Sequence, residues 1–148
     1  YINIYVQSGI AEDTLAYASA RQANWKTNQV SIQHIGTAAL VGGKAKLSDF
    51  DDTTSYEIGV GRKFGDTWSS SIAYNWEGGS GATTSSMFTL SDGRQGLSVG
   101  VKYSLNENTS ITFGGNYTDF GKVTNTTTTA VFSGNTATTL GANISHSF

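Results

Sequence analysis

Seven segments of this chain alternate apolar and polar residues with a period of two. Alternation of this kind predicts β-strands that have one apolar face and one polar face. The clearest example is the run "LSVGVKYSL" from Leu97 to Leu105, in which every second side chain is apolar. The predicted strands cover residues 1–10, 14–25, 55–64, 67–77, 95–105, 110–120 and 140–148. The sequence therefore predicts an all-β protein.

Segment 14–25 is the one segment whose pattern does not say which face is apolar. Its larger side chains, Leu15, Tyr17 and Trp25, share a face with Arg21. The opposite face carries three alanines: Ala16, Ala18 and Ala20.

The connections between the predicted strands alternate strictly between short and long. Residues 11–14, 65–67 and 106–109 are short connections, and residues 26–54, 78–94 and 121–137 are long ones. A water-soluble sandwich has no reason to sort its loops by end, whereas an outer-membrane barrel has tight periplasmic turns and long extracellular loops. Strand length agrees, because a membrane-crossing strand needs about 9–11 residues. We therefore predict an antiparallel transmembrane β-barrel of the outer-membrane type, with a soluble β-sandwich as the alternative.

Composition excludes several other classes. The 148 residues include no Cys, which leaves no disulfide framework and no thiolate metal site. No apolar run reaches the roughly 18 residues that a transmembrane helix needs. The net charge of -2 gives no basic footprint, so no nucleic-acid partner is predicted.

Aromatic residues lie where an apolar membrane band would meet the two headgroup zones. Trp68 and Trp76 stand on the apolar row at opposite ends of one predicted strand. Their separation in depth is roughly 20 Å, close to the ~25 Å band between the aromatic girdles of such barrels. The predicted membrane-interface girdle consists of Trp68, Trp76, Tyr74, Tyr103 and Tyr117.

The polar rows are predicted to face a wet lumen. Lys102 lies in mid-wall, where its ammonium group needs water or a partner such as a ligand carboxylate or Glu57. Arg94 begins a strand at the end with long loops, where it can attract an anionic headgroup or solute. The candidate ligand and lumen residues are Lys102, Arg94, Glu57 and Asn116, and a plain hydrated pore lining is the alternative for Lys102.

Two histidines and one acidic stretch are the remaining candidates for chemistry. His34 lies in a long loop and His146 on an apolar row, and neither has a second His at metal-ligand spacing. The stretch "SDFDD" (48–52) offers carboxylates to a calcium ion or to solvent, and we predict a solvated loop. No serine stands in an elbow-like turn, so we predict neither a catalytic site nor a metal site.

Seven strands do not close a bacterial single-chain barrel, because such barrels have an even strand number. An open edge in lipid leaves backbone groups unpaired at several kcal/mol each. We therefore expect residues 1–148 to be the C-terminal part of a single barrel domain whose N-terminal strands are missing here. Closure of one barrel by two seven-stranded chains is the alternative.

Four stretches together resemble the C-terminal half of the FadL-like family, which are outer-membrane transporters of long-chain fatty acids and other hydrophobic compounds. They are "ASARQANW", "YEIGVGRKFGDTWSSSIAYNW", "SDGRQGLSVGVKYSLNENTSITFGGNYTDFGKV" and "GANISHSF". The resemblance implies a barrel of about 14 strands, of which this chain would supply the last seven. It also implies an N-terminal plug and a lateral outlet, neither of which lies in these residues. Many relatives carry prolines where this chain has "FTLSDGR", so the resemblance leaves the ligand open.

The resemblance implies passive transport of a hydrophobic compound across the bacterial outer membrane by a monomer that is not an enzyme and needs no cofactor. Expected partners are outer-membrane lipids, the hydrophobic ligand and the barrel assembly machinery. That machinery recognises a final strand with a terminal aromatic residue, and Phe148 with Ile144 behind it fits the signal. The alternatives are a general porin or structural barrel, an outer-membrane enzyme and a soluble adhesin. A general porin should show a denser ring of lumen charges than these rows provide.

Overall fold

Long antiparallel strands make up most of the chain, whose computed structural model describes residues 1–33, 44–86 and 88–148. The principal sheet has seven strands, which lie side by side in the order in which they occur in the chain. They are β1 Ile2–Ala11, β2 Thr14–Ala23, β5 Thr53–Phe64, β6 Trp68–Glu77, β8 Arg94–Asn106, β9 Thr109–Phe120 and β12 Thr136–His146. All seven predicted strands are confirmed, and their boundaries agree to within two residues except that the last strand begins at Thr136 rather than Leu140.

Connections are sorted by end, as predicted. Tight turns join β1 to β2, β5 to β6 and β8 to β9, and Asp13 and Gly65 adopt positive φ in the first two of them. Asp tolerates this left-handed conformation better than most residues, and Gly adopts it freely. The long connections, residues 24–52, 78–93 and 121–135, join strand ends at the other end of the sheet, where their described parts lie.

The pairing register gives the sheet one apolar face and one polar face. Ile58 pairs with Ala18 and Tyr74, so these side chains share a face, which we call the apolar face. Large side chains on it are uncovered, with Ile58 63% and Phe113 58% exposed. A water-soluble sheet buries such a face, so this one needs an apolar neighbour.

Strand β2 contributes its alanines to the apolar face. Ala18 lies opposite Ile58, and therefore Leu15, Tyr17 and Arg21 lie on the polar face. A Cβ added at Gly59 would overlap the Tyr17 ring, so the ring lies over the glycine. The polar face thus holds bulky side chains at this strand, which alternation alone did not indicate.

A row of small residues crosses the polar face from one sheet edge to the other. Each of the seven strands supplies one member, and each member pairs with the next across the sheet. Gly9, Leu15, Gly61, Ser71, Gly100, Gly114 and Gly141 form this row, which we call the transverse row. Leu15 is its one large member.

The long loops contain the remaining short elements of the described residues. These are a 3-10 helix, Trp25–Thr27, and the strands β3 Ser31–Gln33, β4 Lys44–Lys46, β7 Thr83–Thr84, β10 Val123–Asn125 and β11 Val131–Phe132. Strand β10 pairs in parallel with β7 and antiparallel with β11, which ties two loops together. In the part of the chain that the structure describes, no helix is long and apolar enough to cross a membrane.

Candidate functional site

The described parts of the three long loops pack into one small folded unit, which we call the loop cap. Ser86 donates a hydrogen bond to the carbonyl of Leu47 (3.0 Å), and Asn125 donates one to the carbonyl of Ser86 (2.7 Å). The side chains exposed by less than 2% in the described residues are Val123, Ser48 and Ser86, and all three belong to the cap. The best-packed part of the described chain is therefore the loop end, and it is held largely by polar contacts.

Asp92 organises the cap where it meets the sheet. Its carboxylate accepts hydrogen bonds from the backbone N–H of Ser80 (2.6 Å), Gly81 (3.0 Å) and Ala82 and from the Ser80 hydroxyl (3.1 Å). Partial burial raises the pKa of Asp92, but these hydrogen bonds outweigh it and hold the pKa below its ordinary value. The ionised carboxylate thus fixes the path of residues 80–82.

A cavity of about 390 Å³, the cap pocket, opens inside the loop cap. Its apolar lining comes from Trp25, Phe50, Phe88, Leu90 and Val123, and its acidic lining from Asp49, Asp51, Asp52, Glu77 and Asp92. The acidic stretch that was predicted to be a solvated loop lines this pocket, and Asp51 and Asp52 are exposed: Asp51 pairs with Lys26 (3.2 Å), and Asp52 accepts the Lys26 backbone N–H (3.0 Å).

A second cavity of about 400 Å³, the loop-end pocket, lies on the polar face of the sheet. Among its lining residues are three of the predicted lumen residues, Arg94, Glu57 and Asn116, together with Arg21. Arg94 pairs with Glu77 (3.5 Å), and Asn116 donates a hydrogen bond to the Ser98 hydroxyl (2.8 Å). Glu77 also lines the cap pocket, so the two cavities adjoin at the Arg94–Glu77 pair.

A third cavity of about 660 Å³, the turn-end pocket, lies on the polar face towards the tight turns. Lys63 and Lys102 flank Ser69 in one row across three strands, and Tyr5, Leu15 and Tyr17 add apolar surface. The suggested pairing of Lys102 with Glu57 is wrong. Glu57 lies opposite Asn75 and Lys102 opposite Ser69, six positions apart along β6 or roughly 20 Å.

The five aromatic residues predicted as a girdle all lie on the apolar face. Trp68 packs against Tyr103 at the turn end, with ring centroids 4.6 Å apart. Trp76 stacks on Tyr56 at the loop end (5.3 Å), a partner that the sequence reading did not include. Tyr74 and Tyr117 flank Leu97 one step farther from that end. Their contact with lipid stays a prediction.

The residues predicted to act in assembly lie at the turn end of β12. Ile144 pairs with Ile111 on the apolar face, and Phe148 packs edge-on against His146 (4.7 Å). His146 Nδ1 also shares a hydrogen bond with the Thr109 hydroxyl (2.9 Å). His34 lies outside the described residues. Within the described ranges, no group of three or more His, Cys, Asp or Glu side chains has the arrangement of a metal site.

Several residues of the site were not foreseen from the sequence. Ser86, Asn125 and Val123 carry no periodic signal, because they lie in loops and act through contacts between loops. Arg21 and Lys63 were visible as charges, but the register of β2 and β5 was needed to place them beside the pockets. The "SDGR" stretch was the available signal for Asp92, since Asp followed by Gly is typical of a turn.

Tight turns at one end, a structured loop cap at the other, and long strands with an uncovered apolar face are the features of the wall of an outer-membrane type β-barrel. Among nine solved chains that match the fold is the "CymD monoaromatic hydrocarbon channel", with a TM-score of 0.63 and 14% sequence identity. The match covers 96% of this chain and 34% of that channel, so the chain spans about a third of the channel's length.

The predicted fold class, an all-β antiparallel sheet of the outer-membrane barrel type, is thereby confirmed, with the sheet of these residues open between β1 and β12. No protein-family model and no curated protein sequence matches the chain. The resemblance to the FadL-like family in particular stays a prediction.

Proposed function

We propose that this chain forms part of an outer-membrane barrel through which hydrophobic compounds pass passively. The observation that carries the proposal is the arrangement of the polar face, where the cap pocket adjoins the loop-end pocket and the turn-end pocket lies farther along the same face. The fold shared with a hydrocarbon channel supports the same class of solute. Long-chain fatty acids and other hydrophobic compounds are the candidate solutes.

The apolar face supports a bilayer location. Its uncovered side chains bury against hydrocarbon at about 25 cal/mol per Å² of apolar surface, a gain that an aqueous surface does not provide. Aromatic pairs at both ends of β6 suit the two headgroup zones. We propose outer-membrane lipids and the barrel assembly machinery as partners, a monomeric full-length protein, and passage without catalysis or a cofactor.

Uptake by Gram-negative cells that produce the intact protein tests the proposal. Cells are given labelled oleate, labelled toluene or a labelled sugar. We expect uptake of at least one hydrophobic compound to rise severalfold over cells without the protein, and sugar uptake to stay at background. Equal stimulation of sugar uptake would instead assign a general porin, and no stimulation by any solute would contradict transport.

A matched pair of variants separates passage from assembly. Gly100 lines the turn-end pocket, and a Cβ there would meet the movable hydroxyl of Ser71 at 3.0 Å. Gly100→Leu therefore fills part of the pocket and should lower uptake severalfold. Val99→Leu adds bulk at the neighbouring position of the apolar face and should leave uptake unchanged.

A further inference from the structure

Two lysines on the polar face have no acidic partner among the described residues. Lys63 on β5 and Lys102 on β8 both lie opposite Ser69 of β6, so their Cα atoms are two strand spacings apart, roughly 10 Å. All 11 Asp and Glu residues of the sequence fall within the described ranges, and none of them has a carboxylate oxygen within 4.0 Å of either ammonium group. By contrast, Arg94 and Lys26 each have a carboxylate partner.

The charges that line the turn-end pocket on the polar face give an excess of positive charge. One acidic residue, Asp13, lines the pocket with the two lysines, and its backbone carbonyl accepts the N–H of Lys63 (2.8 Å). The Arg62 guanidinium belongs to the apolar face, where it lies 5.7 Å from the centroid of the Phe64 ring. The polar-face lining therefore carries two ammonium groups and one carboxylate.

Hydroxyl groups accompany the lysines in the same row across the sheet. Ser69 stands between them, and Thr112 of β9 lies opposite Lys102 on its other side. Ammonium and hydroxyl groups both donate hydrogen bonds, and bonds to an ionised oxygen acceptor are stronger than those between neutral groups. The row of Lys63, Ser69, Lys102 and Thr112 is therefore suited to a carboxylate.

An apolar wall stands beside this row of donors. Tyr5 packs at a tilt against Tyr17, with ring centroids 6.1 Å apart. The Leu15 side chain lies close to Gly61, since a Cβ added at that glycine would be 3.8 Å from Leu15 Cγ. Gly61 is two residues from Lys63 along β5, a rise of roughly 6.6 Å. Apolar surface and ammonium group thus lie within the length of one small molecule.

We propose that the turn-end pocket binds one-ring carboxylates, such as arylalkanoates, with the carboxylate held between Lys63 and Lys102 above Ser69. The ring lies against Leu15 and Tyr17, and an aromatic ring gains from contact with the tyrosine ring beyond the apolar area that it buries. A cavity of about 660 Å³ is within the range of small-molecule pockets. The inference narrows the solute range of the proposed function and rests on that function only for the solute's passage.

Ligand-observed NMR titration of the intact protein in uncharged detergent micelles tests the binding step without any transport. The probes are phenylpropionate, phenylpropanol and phenylpropylamine, which share one ring and one linker and differ in the charge of the end group. Protein-free micelles give the baseline for partitioning of each probe. At low salt and neutral pH we expect phenylpropionate to bind about tenfold more tightly than phenylpropylamine, with phenylpropanol between them. The preference should shrink at high salt, because exposed charges are screened.

Variants locate the effect. Lys63→Gln with Lys102→Gln should remove most of the preference, because neutral amides replace both ammonium groups. Lys122→Gln makes the same change beyond the end of β9, at the loop end of the sheet, and should leave the preference intact. Leu15→Ser removes apolar surface and should weaken all three probes alike, which separates the contact with the ring from the contact with the charge. Strand content by circular dichroism confirms that each variant is folded.

Equal affinity for all three probes, tighter binding of phenylpropylamine, or a preference that survives the double Gln substitution would overturn the inference. None of these outcomes measures uptake by cells, so failure here is distinguishable from failure of the proposed transport function.

Discussion

Gly121 is the point at which two loops of the cap approach each other closely, beside the ends of β8 and β9. It follows the last residue of β9, and its N–H donates to the carbonyl of Gly93 (3.0 Å) while its own carbonyl accepts from the N–H of Asp92 (3.3 Å). A Cβ at this position would overlap the carbonyl oxygen of Asp92. Since that oxygen belongs to the backbone, no rotamer change relieves the overlap.

Substitution of Gly121 by Ala is therefore expected to loosen the cap while leaving the strands folded. Limited proteolysis should cut residues 78–93 or 121–135 at least severalfold faster in this variant than in the unaltered protein. Gly141→Ala is the matched control, because a Cβ there has no heavy atom within 4 Å. Equal protection of the loops in both variants would contradict the role assigned to Gly121.

Asp92 gives the cap a defined dependence on pH. Its folded-state pKa lies below the ordinary value, so its contribution to stability is complete above the ordinary pKa of about 3.9 and is lost as the pH falls through the lowered value. The amide resonances of residues 80–82 should keep their positions from pH 7 to about 4 and move only at lower pH.

Asp92→Asn removes the titrating group but keeps one oxygen acceptor. The transition of these three amides should then disappear, and residues 80–82 should exchange amide protons faster at neutral pH. A transition in the Asn variant at the same pH would show that another carboxyl group controls the loop.

At the scale of a single element, strand β2 shows when alternation of residue types is enough to assign side chains to a face of the sheet and when it is not. Both of its rows are apolar enough to face a core, so the pattern of residues 14–25 was ambiguous. The pairing register of β2 with β5 determines which row of β2 lies on the apolar face, because a shift of one residue would move every side chain to the other face. For β8, where valines alternate with small and charged residues, the sequence alone assigned the faces correctly.

A pair of lysine substitutions in the middle of β8 tests this assignment. Val99 points to the apolar face and Ser98 to the polar face, and their neighbours in β9 are Gly115 and Asn116. Val99→Lys should cost about 2–4 kcal/mol of folding free energy in a bilayer, because an ammonium group would meet hydrocarbon near the midplane. Ser98→Lys should cost far less, since its ammonium group stays in water.

Folding into lipid vesicles can be measured for both variants by the gel mobility shift on heating. Similar folding yields for the two variants, or the lower yield for Ser98→Lys, would mean that the two faces have been assigned to the wrong surroundings.

At the scale of the whole molecule, the sequence predicted the sheet well and the loop cap poorly. Strand faces repeat every two residues, so each strand carries its signal many times, and the loop lengths predicted correctly that the long connections share one end of the sheet. The cap depends on single contacts between residues far apart in the chain, such as Asn125 with Ser86 and Ser85 with Asp49. Contacts of that kind have no periodicity, and only the fold brings them together.

The candidate lumen residues illustrate the same limit. Lys102, Arg94, Glu57 and Asn116 were correctly placed on one face, because a face follows from odd or even position in a strand. Which of them are neighbours depends on pairing across four strands, and this separates Lys102 from Glu57. Prediction of a face is thus possible where prediction of an ion pair is not.

The transverse row has a consequence for how a passing molecule would be handled. Six of the seven residues in the row are Gly or Ser. A solute that crosses the row would therefore contact mainly the backbone, whose chemistry is the same in every sequence. Recognition of a solute would then depend on the charged residues on either side of the transverse row, towards the turn end and towards the loop end. The row itself would limit only the width of the solute. Substitutions among those charged residues could therefore change which solutes the wall accepts, while the diameter of the passage at the row stays constant.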